Sequence, residues 1–401
     1  MSKVLAISYF LPPCLTPQSI QIGRLLSDSR HDIIAVSVND RNMSYDYDLF
    51  PDFDNNLKHH IRIKNRKIFS GLIHKFFIKY FDFYSKYPDC FRWIVNDIVK
   101  VACNEIENQK IDKIVTFGQP MTDHIVGLIL KKKYPYLEWI SHFSDPWIDN
   151  PYITYNSKAY KFNLNLENAV IRRSDKIIFT SQESIDLISL RYTNKIKEKC
   201  FVLNHSYDSK LYKYDKNHKK DKKILFSYVG ELYGIRTPEF LFKAIRLLEK
   251  RNRKILNNVE FCFVGNVSKK FLLSDDFLFL NNKFIKVLPQ VPYLESLKIM
   301  EKSDVLMLID AYLDNSPFFP SKLVDYIGAK KYILGMTPMG TSRKVLQKLG
   351  LSSVNPNDIN AIANEIENIL IYKWYESVNY IDTKSYDIMY NQKIFDDIIG
   401  G

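Results

Sequence analysis

The 401-residue sequence predicts an α/β protein in which a doubly wound domain with a parallel sheet occurs twice. Three observations lead there. Short apolar runs alternate with segments of helical periodicity almost throughout. The runs are continuous in Val, Ile and Phe, as in strands buried on both faces. Between the two copies, residues 207–223 hold almost no apolar side chain and much charge, most densely in Asp215-Lys216-Asn217-His218-Lys219-Lys220-Asp221-Lys222-Lys223, a linker composition. Two Rossmann-like domains joined there would leave a central cleft at the carboxyl ends of their sheets, where such folds bind ligands.

The elements follow in order. In a first domain, 1–206, strands are expected at 3–10, 32–38, 112–117, 137–142, 176–180 and 200–203, with helices near 18–29, 91–108, 121–133, 158–174 and 182–193. In a second, 224–380, strands are expected at 224–229, 259–264, 284–288, 304–309 and 331–335, with helices near 237–252, 293–302, 341–349 and 357–371. Residues 381–401 read as a helix ending in Ile394-Phe395-Asp396-Asp397-Ile398-Ile399, able to pack back on the first domain.

Composition narrows the class. Hydrophobic content of 46% and charged content of 25% are those of a soluble globular chain. The net charge of +12 favours polyanionic partners: nucleic acid, an anionic membrane or phosphorylated substrates. Cys14, Cys90, Cys103, Cys200 and Cys262 are scattered without paired spacing, which fits reduced thiols in the cytoplasm and speaks against a zinc site. Val4 to Leu11 is apolar but stops at Pro12-Pro13, so it reads as a buried first strand rather than a signal segment. No run approaches the ~18 apolar residues of a spanning helix.

Residues 58–100 interrupt the alternation with ten Lys and Arg, among them Arg66, Lys67, Lys75 and Lys79, against Asp82, Asp89 and Asp97. Within 68–85, Phe69, Ile73, Phe76, Phe77, Tyr80 and Tyr84 share one helical face, and Lys75, Lys79 and Lys86 the opposite one. Two readings stand: an interfacial helix touching an anionic membrane surface, or a core-facing helix with a solvated basic face.

The most informative stretch is Phe318-Phe319-Pro320-Ser321-Lys322-Leu323-Val324-Asp325-Tyr326-Ile327-Gly328-Ala329-Lys330-Lys331-Tyr332-Ile333-Leu334. It reads as a turn, a helix with Pro320 at its first position, a tight glycine turn and a buried strand. The first amides of such a helix carry the positive end of its dipole, beside the Ser321 hydroxyl and the Lys322 ammonium. Amides and Lys322 suit a diphosphate, and Asp325 one turn on suits vicinal sugar hydroxyls. Taken alone, the string is equally an ordinary helix start with solvated charges.

Several segments together resemble the retaining glycosyltransferases of family 4, which have the GT-B fold. Ile224-Leu225-Phe226-Ser227-Tyr228-Val229-Gly230-Glu231-Leu232-Tyr233-Gly234-Ile235-Arg236 is similar to that family's strand, glycine and basic loop. Phe261 to Gly265 is similar to its next strand and turn, and Val287-Leu288-Pro289-Gln290-Val291-Pro292 to the loop framing the base. The Pro320 stretch falls where the family has its glutamate-rich donor motif. Phe117-Gly118-Gln119-Pro120 with His124, and His142-Phe143-Ser144-Asp145-Pro146-Trp147, resemble a subgroup that makes bacterial surface polysaccharides. There are departures: Glu231 stands where the family has an arginine, Pro317 where it has a glutamate, and Thr16-Pro17-Gln18-Ser19 where it has paired glycines.

The resemblance implies transfer of a sugar from a nucleotide-sugar to a polyprenyl-linked or saccharide acceptor, with no metal and no other cofactor, in the cytoplasm or at the inner face of the plasma membrane. Arg236 and Lys322 would hold the diphosphate, with Gly230, Glu231, Gln290, Val291, Ser321, Leu323 and Asp325 completing the donor side. Asp145 would contact the sugar or take the acceptor proton, and His142, counted with it among the catalytic residues, would line the cleft. Pro13, Gln18, Ser19 and His124 would face the acceptor. Asp145 reads equally as a turn residue before Pro146, and a lone histidine as a structural one. Ser274-Asp275-Asp276 reads as loop rather than metal site. Two competing readings are a sugar-nucleotide epimerase and a basic membrane- or nucleic-acid-binding protein without catalysis. No nucleic-acid motif accompanies the charge, so nucleic acid is not an expected partner.

Overall fold

The computed structural model describes residues 2–65, 69, 71–149, 155–213 and 223–401; Arg66 and Lys67 of the basic stretch and 214–222 of the expected linker lie outside them. The chain divides into two compact units: Met1–His205 with Pro317–Phe319 and Ile388–Gly401, and Ser206–Ser316 with Pro320–Asp387.

The first unit contains β1 (Lys3–Ile7), α1 (Pro17–Ser27), β2 (Asp32–Asn39), α2 (Phe53–Asn56), β3 (His59–Lys64), α3 (Gly71–Tyr80), α4 (Asp82–Ser85), α5 (Val95–Gln109), β4 (Lys113–Phe117), α6 (Thr122–Lys133), β5 (Glu138–Phe143), α7 (Lys158–Arg173), β6 (Lys176–Phe179), α8 (Gln182–Tyr192) and β7 (Cys200–Val202). The second contains β8 (Ile224–Val229), α9 (Glu239–Asn252), β9 (Val259–Val264), α10 (Lys269–Leu272), α11 (Asp275–Leu280), β10 (Ile285–Leu288), α12 (Tyr293–Lys302), β11 (Val305–Ile309), α13 (Ser321–Ala329), β12 (Tyr332–Met336), α14 (Thr341–Lys348), β13 (Ser353–Val354) and α15 (Ile359–Tyr372). Helix α16 (Ile388–Gly400) returns to the first unit.

Both sheets are parallel throughout, in the orders β3-β2-β1-β4-β5-β6-β7 and β10-β9-β8-β11-β12-β13. Each order reverses beside its first strand, between β1 and β4 and between β8 and β11. Loops leaving two adjacent strands in opposite directions open a crevice there, where doubly wound sheets take ligands. The predicted class of two Rossmann-like doubly wound domains is therefore the observed one. Apolar residues of β1, β4, β5 and β6 are almost wholly buried, because helices cover both faces. Side-chain caps fix helix starts where the sequence offers a hydroxyl or carboxylate: Thr16, Ser157, Ser181 and Asp358 accept amides of α1, α7, α8 and α15.

Helix α16 completes the first unit. Its Phe395, Ile398 and Ile399 join Ile22, Leu25 and Leu26 of α1 in one apolar cluster. Asp396 accepts the Ser29 hydroxyl at 2.6 Å and the Arg30 amide at 3.1 Å.

Some local expectations change. Strand β3 lies inside the stretch read as an interruption; His59-His60-Ile61-Arg62-Ile63-Lys64 is an edge strand, whose polar alternation hides it from an apolar-run search. Within the stretch expected as one helix, the described residues 71–85 form two. Phe81 is extended between α3 and α4, and the break lets the Tyr84 hydroxyl bond His74 Nδ1 at 2.9 Å. Ser274 is not loop but the cap of α11, accepting from Phe277 N. Pro320 sits at the N-cap of α13, one position before its expected place. Gly328 makes no turn: it is inside α13, where a Cβ would lie 2.5 Å from the Tyr212 ring, and Lys330 turns the chain at φ 56°. A close approach, not a reversal, is why glycine stands there.

Candidate functional site

In the second unit Gly230, Arg236 and Lys322 come together at the β8–β11 reversal. Strand β8 is followed directly by Gly230, whose φ of 129° is glycine territory. A Cβ on Gly230 would stand 2.6 Å from Lys322 Nζ, so the absent side chain is the space that lysine fills. Lys322 leaves the first turn of α13 and lies over the Tyr228 ring, 4.1 Å from its centre, donating to the Tyr228 hydroxyl at 2.5 Å. That hydroxyl in turn donates to the Glu231 carbonyl at 2.9 Å. Arg236 follows a turn closed by its amide on Tyr233 O at 3.1 Å.

Charge ties these groups together. Burial first, and then the Arg236 guanidinium, push the Lys322 ammonium well below its ordinary pKa, with Asp310 and Glu231 opposing. The Arg236 charge also acts on Asp310, Tyr228 and Tyr326. Arg236 and Lys322 therefore share one locality.

Asp325 is buried rather than on a helix surface. One carboxylate oxygen accepts the Tyr293 hydroxyl at 2.7 Å, which aims the group. Gln290 and Glu231 are exposed, both bonded to the Asn266 side-chain amide, at 3.1 and 3.0 Å. Val291 and Ser321 are half-buried at the starts of α12 and α13. Leu323 is a core side chain whose amide is taken by the Pro320 carbonyl at 2.9 Å, so it is not the open donor expected for a phosphate.

In the first unit the loops after β1 and β4 meet. Gln18, in the first turn of α1, donates to the Gly118 carbonyl at 2.5 Å, so this amide ties the helix start to the loop after β4 instead of standing open. Pro13 is half-buried and its carbonyl accepts the Asp46 amide at 2.8 Å. Ser19 and His124 are fully buried, inside the unit rather than on an acceptor-facing surface. His124 Nδ1 pairs with the Thr116 hydroxyl at 2.8 Å. His142 is buried near the end of β5, and Asp145, three residues on, accepts the Gln119 side-chain amide at 2.6 Å.

Burial lowers His142 to about 4 and His124 to about 3; the His142 charge adds to the latter. His205 is also lowered to about 3, by burial and then by His142 and Arg24. All three are neutral imidazoles at pH 7. Behind Asp145, a fork of ion pairs steadies the chain: Arg191 reaches Asp149 at 2.5 Å and the buried Glu167 at 3.0 Å, and Glu167 also accepts the Ile148 amide at 3.0 Å.

Sequence reasoning passed over Asp310, Tyr228 and His205. Asp310 follows β11 at the reversal, is buried, and one of its carboxylate oxygens has no hydrogen-bond partner among the described residues. Burial raises its pKa, while Arg236, the nearby Ser342 hydroxyl and Lys322 oppose. A carboxylate directly after the apolar run Val305-Leu306-Met307-Leu308-Ile309 was a readable signal. Tyr228 was not readable, since inside β8 it looks like one more core aromatic.

No family model and no curated protein matches the chain by sequence. Solved structures do match. HepE of Anabaena in complex with UDP and glucose superposes with a TM-score of 0.68 at 13% identity, over 100% of both chains. Sucrose-phosphate synthase of Thermosynechococcus elongatus gives 0.64 at 14% identity, over 100% of this chain and 95% of that one. The lipopolysaccharide outer core galactosyltransferase WaaB gives 0.61 at 12% identity, over 100% and 99%. At such identities the likeness establishes the fold, the paired-domain arrangement called GT-B.

Proposed function

We propose that the protein is a retaining glycosyltransferase. It would move a sugar from a UDP- or GDP-sugar to a lipid-linked or polysaccharide acceptor in bacterial surface-polysaccharide synthesis, working in the cytoplasm at the inner face of the plasma membrane. The observation that carries this reading is the meeting of Arg236 and Lys322 at the β8–β11 reversal, beside the buried Asp325 that Tyr293 holds. In the transfer, the bond from the anomeric carbon to the phosphate oxygen breaks and a bond to an acceptor oxygen forms on the same face. The electron pair leaves on the diphosphate.

Arg236 offers a planar fork to that leaving group and Lys322 a compact charge. An arriving diphosphate opposes the burial that depresses Lys322, so it favours the ammonium form at the moment the charge is needed. Asp325 is placed to accept ribose hydroxyls. On the acceptor side Asp145, or the neutral His142, takes the acceptor hydroxyl proton. The relatives in fold lend support in that HepE carries UDP and glucose. On this reading protein cations alone neutralise the leaving group.

Titration with UDP, GDP and their sugars in the presence of EDTA tests it. A nucleoside diphosphate raises the melting temperature of the wild type. The Arg236→Ala and Lys322→Ala variants bind at least about tenfold more weakly. Absence of a shift with every nucleotide overturns the reading. Incubating donor without acceptor separates it from an epimerase, which would return an isomerised nucleotide-sugar.

A further inference from the structure

Helices α3 and α4 turn their apolar side chains outward. Leu72 is 84% exposed, Phe83 64% and Phe76 52%, and Ile73, Ile78, Tyr80, Phe81 and Trp93 are exposed with them. A patch this continuous is unusual on a soluble surface unless something covers it. It is not a loose segment, because its inner side is anchored. Phe77 and Phe91 pack on the buried Tyr84 and Cys90, and Tyr84 bonds His74. The anchoring fixes which side chains face out.

Charge says what the cover is. Lys75 and Lys79 are exposed among the apolar residues, and Lys79 lies 4.9 Å from the Tyr80 ring centre. The Arg92 guanidinium is held 4.4 Å from the Phe83 ring and 4.2 Å from Trp93. Across 71–93 the carboxylates are Asp89, which is bonded to Thr122 and Phe91, and Asp82, which pairs with Lys86 at 2.9 Å. A second copy docking on the same face would set Lys75 and Lys79 against their own kind, with Asp82 already engaged by Lys86. An anionic headgroup layer answers them, and its acyl boundary takes the rings.

We propose that α3 and α4 form a docking surface for an anionic lipid bilayer, with Leu72, Phe76, Phe81 and Phe83 entering the headgroup–acyl boundary and Lys75 and Lys79 meeting the headgroups. This inference deepens the placement at the inner face of the plasma membrane proposed above, and its test is independent of sugar transfer.

The full chain is mixed with phosphatidylcholine vesicles, with and without phosphatidylglycerol, and sedimented. Binding is expected only with phosphatidylglycerol, weakening as salt rises. Phe76→Ser with Phe83→Ser lowers the partition coefficient by about tenfold or more. Lys75→Gln with Lys79→Gln lowers it by roughly five- to thirtyfold and removes most of the salt dependence. The wild-type emission shifts to the blue on binding, and Trp93→Phe abolishes the shift. All these variants alter exposed side chains, so an unchanged melting temperature checks their fold. Nucleotide titration is read separately, so loss of nucleotide binding leaves this test intact. The proposal is overturned if the wild type ignores phosphatidylglycerol, or if the Phe76/Phe83 variant binds as well as the wild type. It is equally overturned if the wild type is a dimer that this variant dissociates, without any vesicle binding.

Discussion

The Lys322 ammonium rests on the face of Tyr228, 4.1 Å from the ring centre, and donates to the hydroxyl of the same residue at 2.5 Å. One aromatic side chain thus supplies both a quadrupole and an acceptor to a half-buried cation. Tyr228→Phe keeps the first and removes the second, and also takes a donor from the Glu231 carbonyl. A stability loss of about 1–2 kcal/mol is expected in urea unfolding. No loss would mean that the hydroxyl is dispensable to Lys322.

The depressed pKa of Lys322 makes diphosphate binding draw a proton from solvent. Affinity for UDP is expected to fall as pH rises, at values below the ordinary lysine pKa of about 10.4, because the neutral amine then dominates in the free protein. Calorimetry in buffers of different ionisation heat measures the uptake directly. Lys322→Arg, which stays charged, should show none.

Gly230→Ala forces a side chain 2.6 Å from Lys322 Nζ on a backbone with φ of 129°. Strain of about 1–3 kcal/mol and displacement of the lysine are expected together. The thermal midpoint and the UDP dissociation constant should both worsen; a variant that melts normally and binds UDP normally contradicts the placement of Lys322.

His124, His142 and His205 favour the neutral form in the folded state, at about 3, 4 and 3 against about 6.5 unfolded. Their contribution is complete above about pH 6.5 and is lost as pH falls toward those folded values. At pH 5 each withdraws up to about 2 kcal/mol, less in sum because the three are near one another. The buried Asp123, Asp89 and Glu167, raised by burial, pull the other way. The readout is therefore a difference: His142→Gln should flatten the fall in urea midpoint between about pH 7 and about pH 5. Parallel curves would refute the depressed value.

Arg191→Ala strands the fully buried Glu167 without its cation. Removing one partner of a buried pair costs about 3–5 kcal/mol. Replacing both, as Arg191→Met with Glu167→Gln, should recover much of it, and denaturation of the single and double variants checks this.

The order of strands and helices was legible because parallel strands covered on both faces are plain apolar runs, as in Val259–Val264 and Val305–Ile309. Edge strand β3 was not, since His59 to Lys64 half faces water. Arg236 and Lys322 were readable as cations near a glycine and a helix start. Their partners Tyr228 and Asp310 were not singled out, because only the fold brings residues from β8, β11 and α13 together. Ser19 and His124 show the converse: polar residues in a suggestive loop or helix, which packing carried inward. The face of α3 was drawn from a single uninterrupted helix, and the extended Phe81 altered which rings point outward.

The first unit borrows α16 from the far end of the numbering, so its core stays unsealed until residue 399 has been made. During synthesis the sides of Ile22, Leu25 and Leu26 that α16 covers stay open while residues 206–387 emerge, an interval in which exposed apolar surface invites misassembly. A frameshift or nonsense codon just before Ile388 would therefore harm the opening segment of the polypeptide while leaving the middle one free to fold.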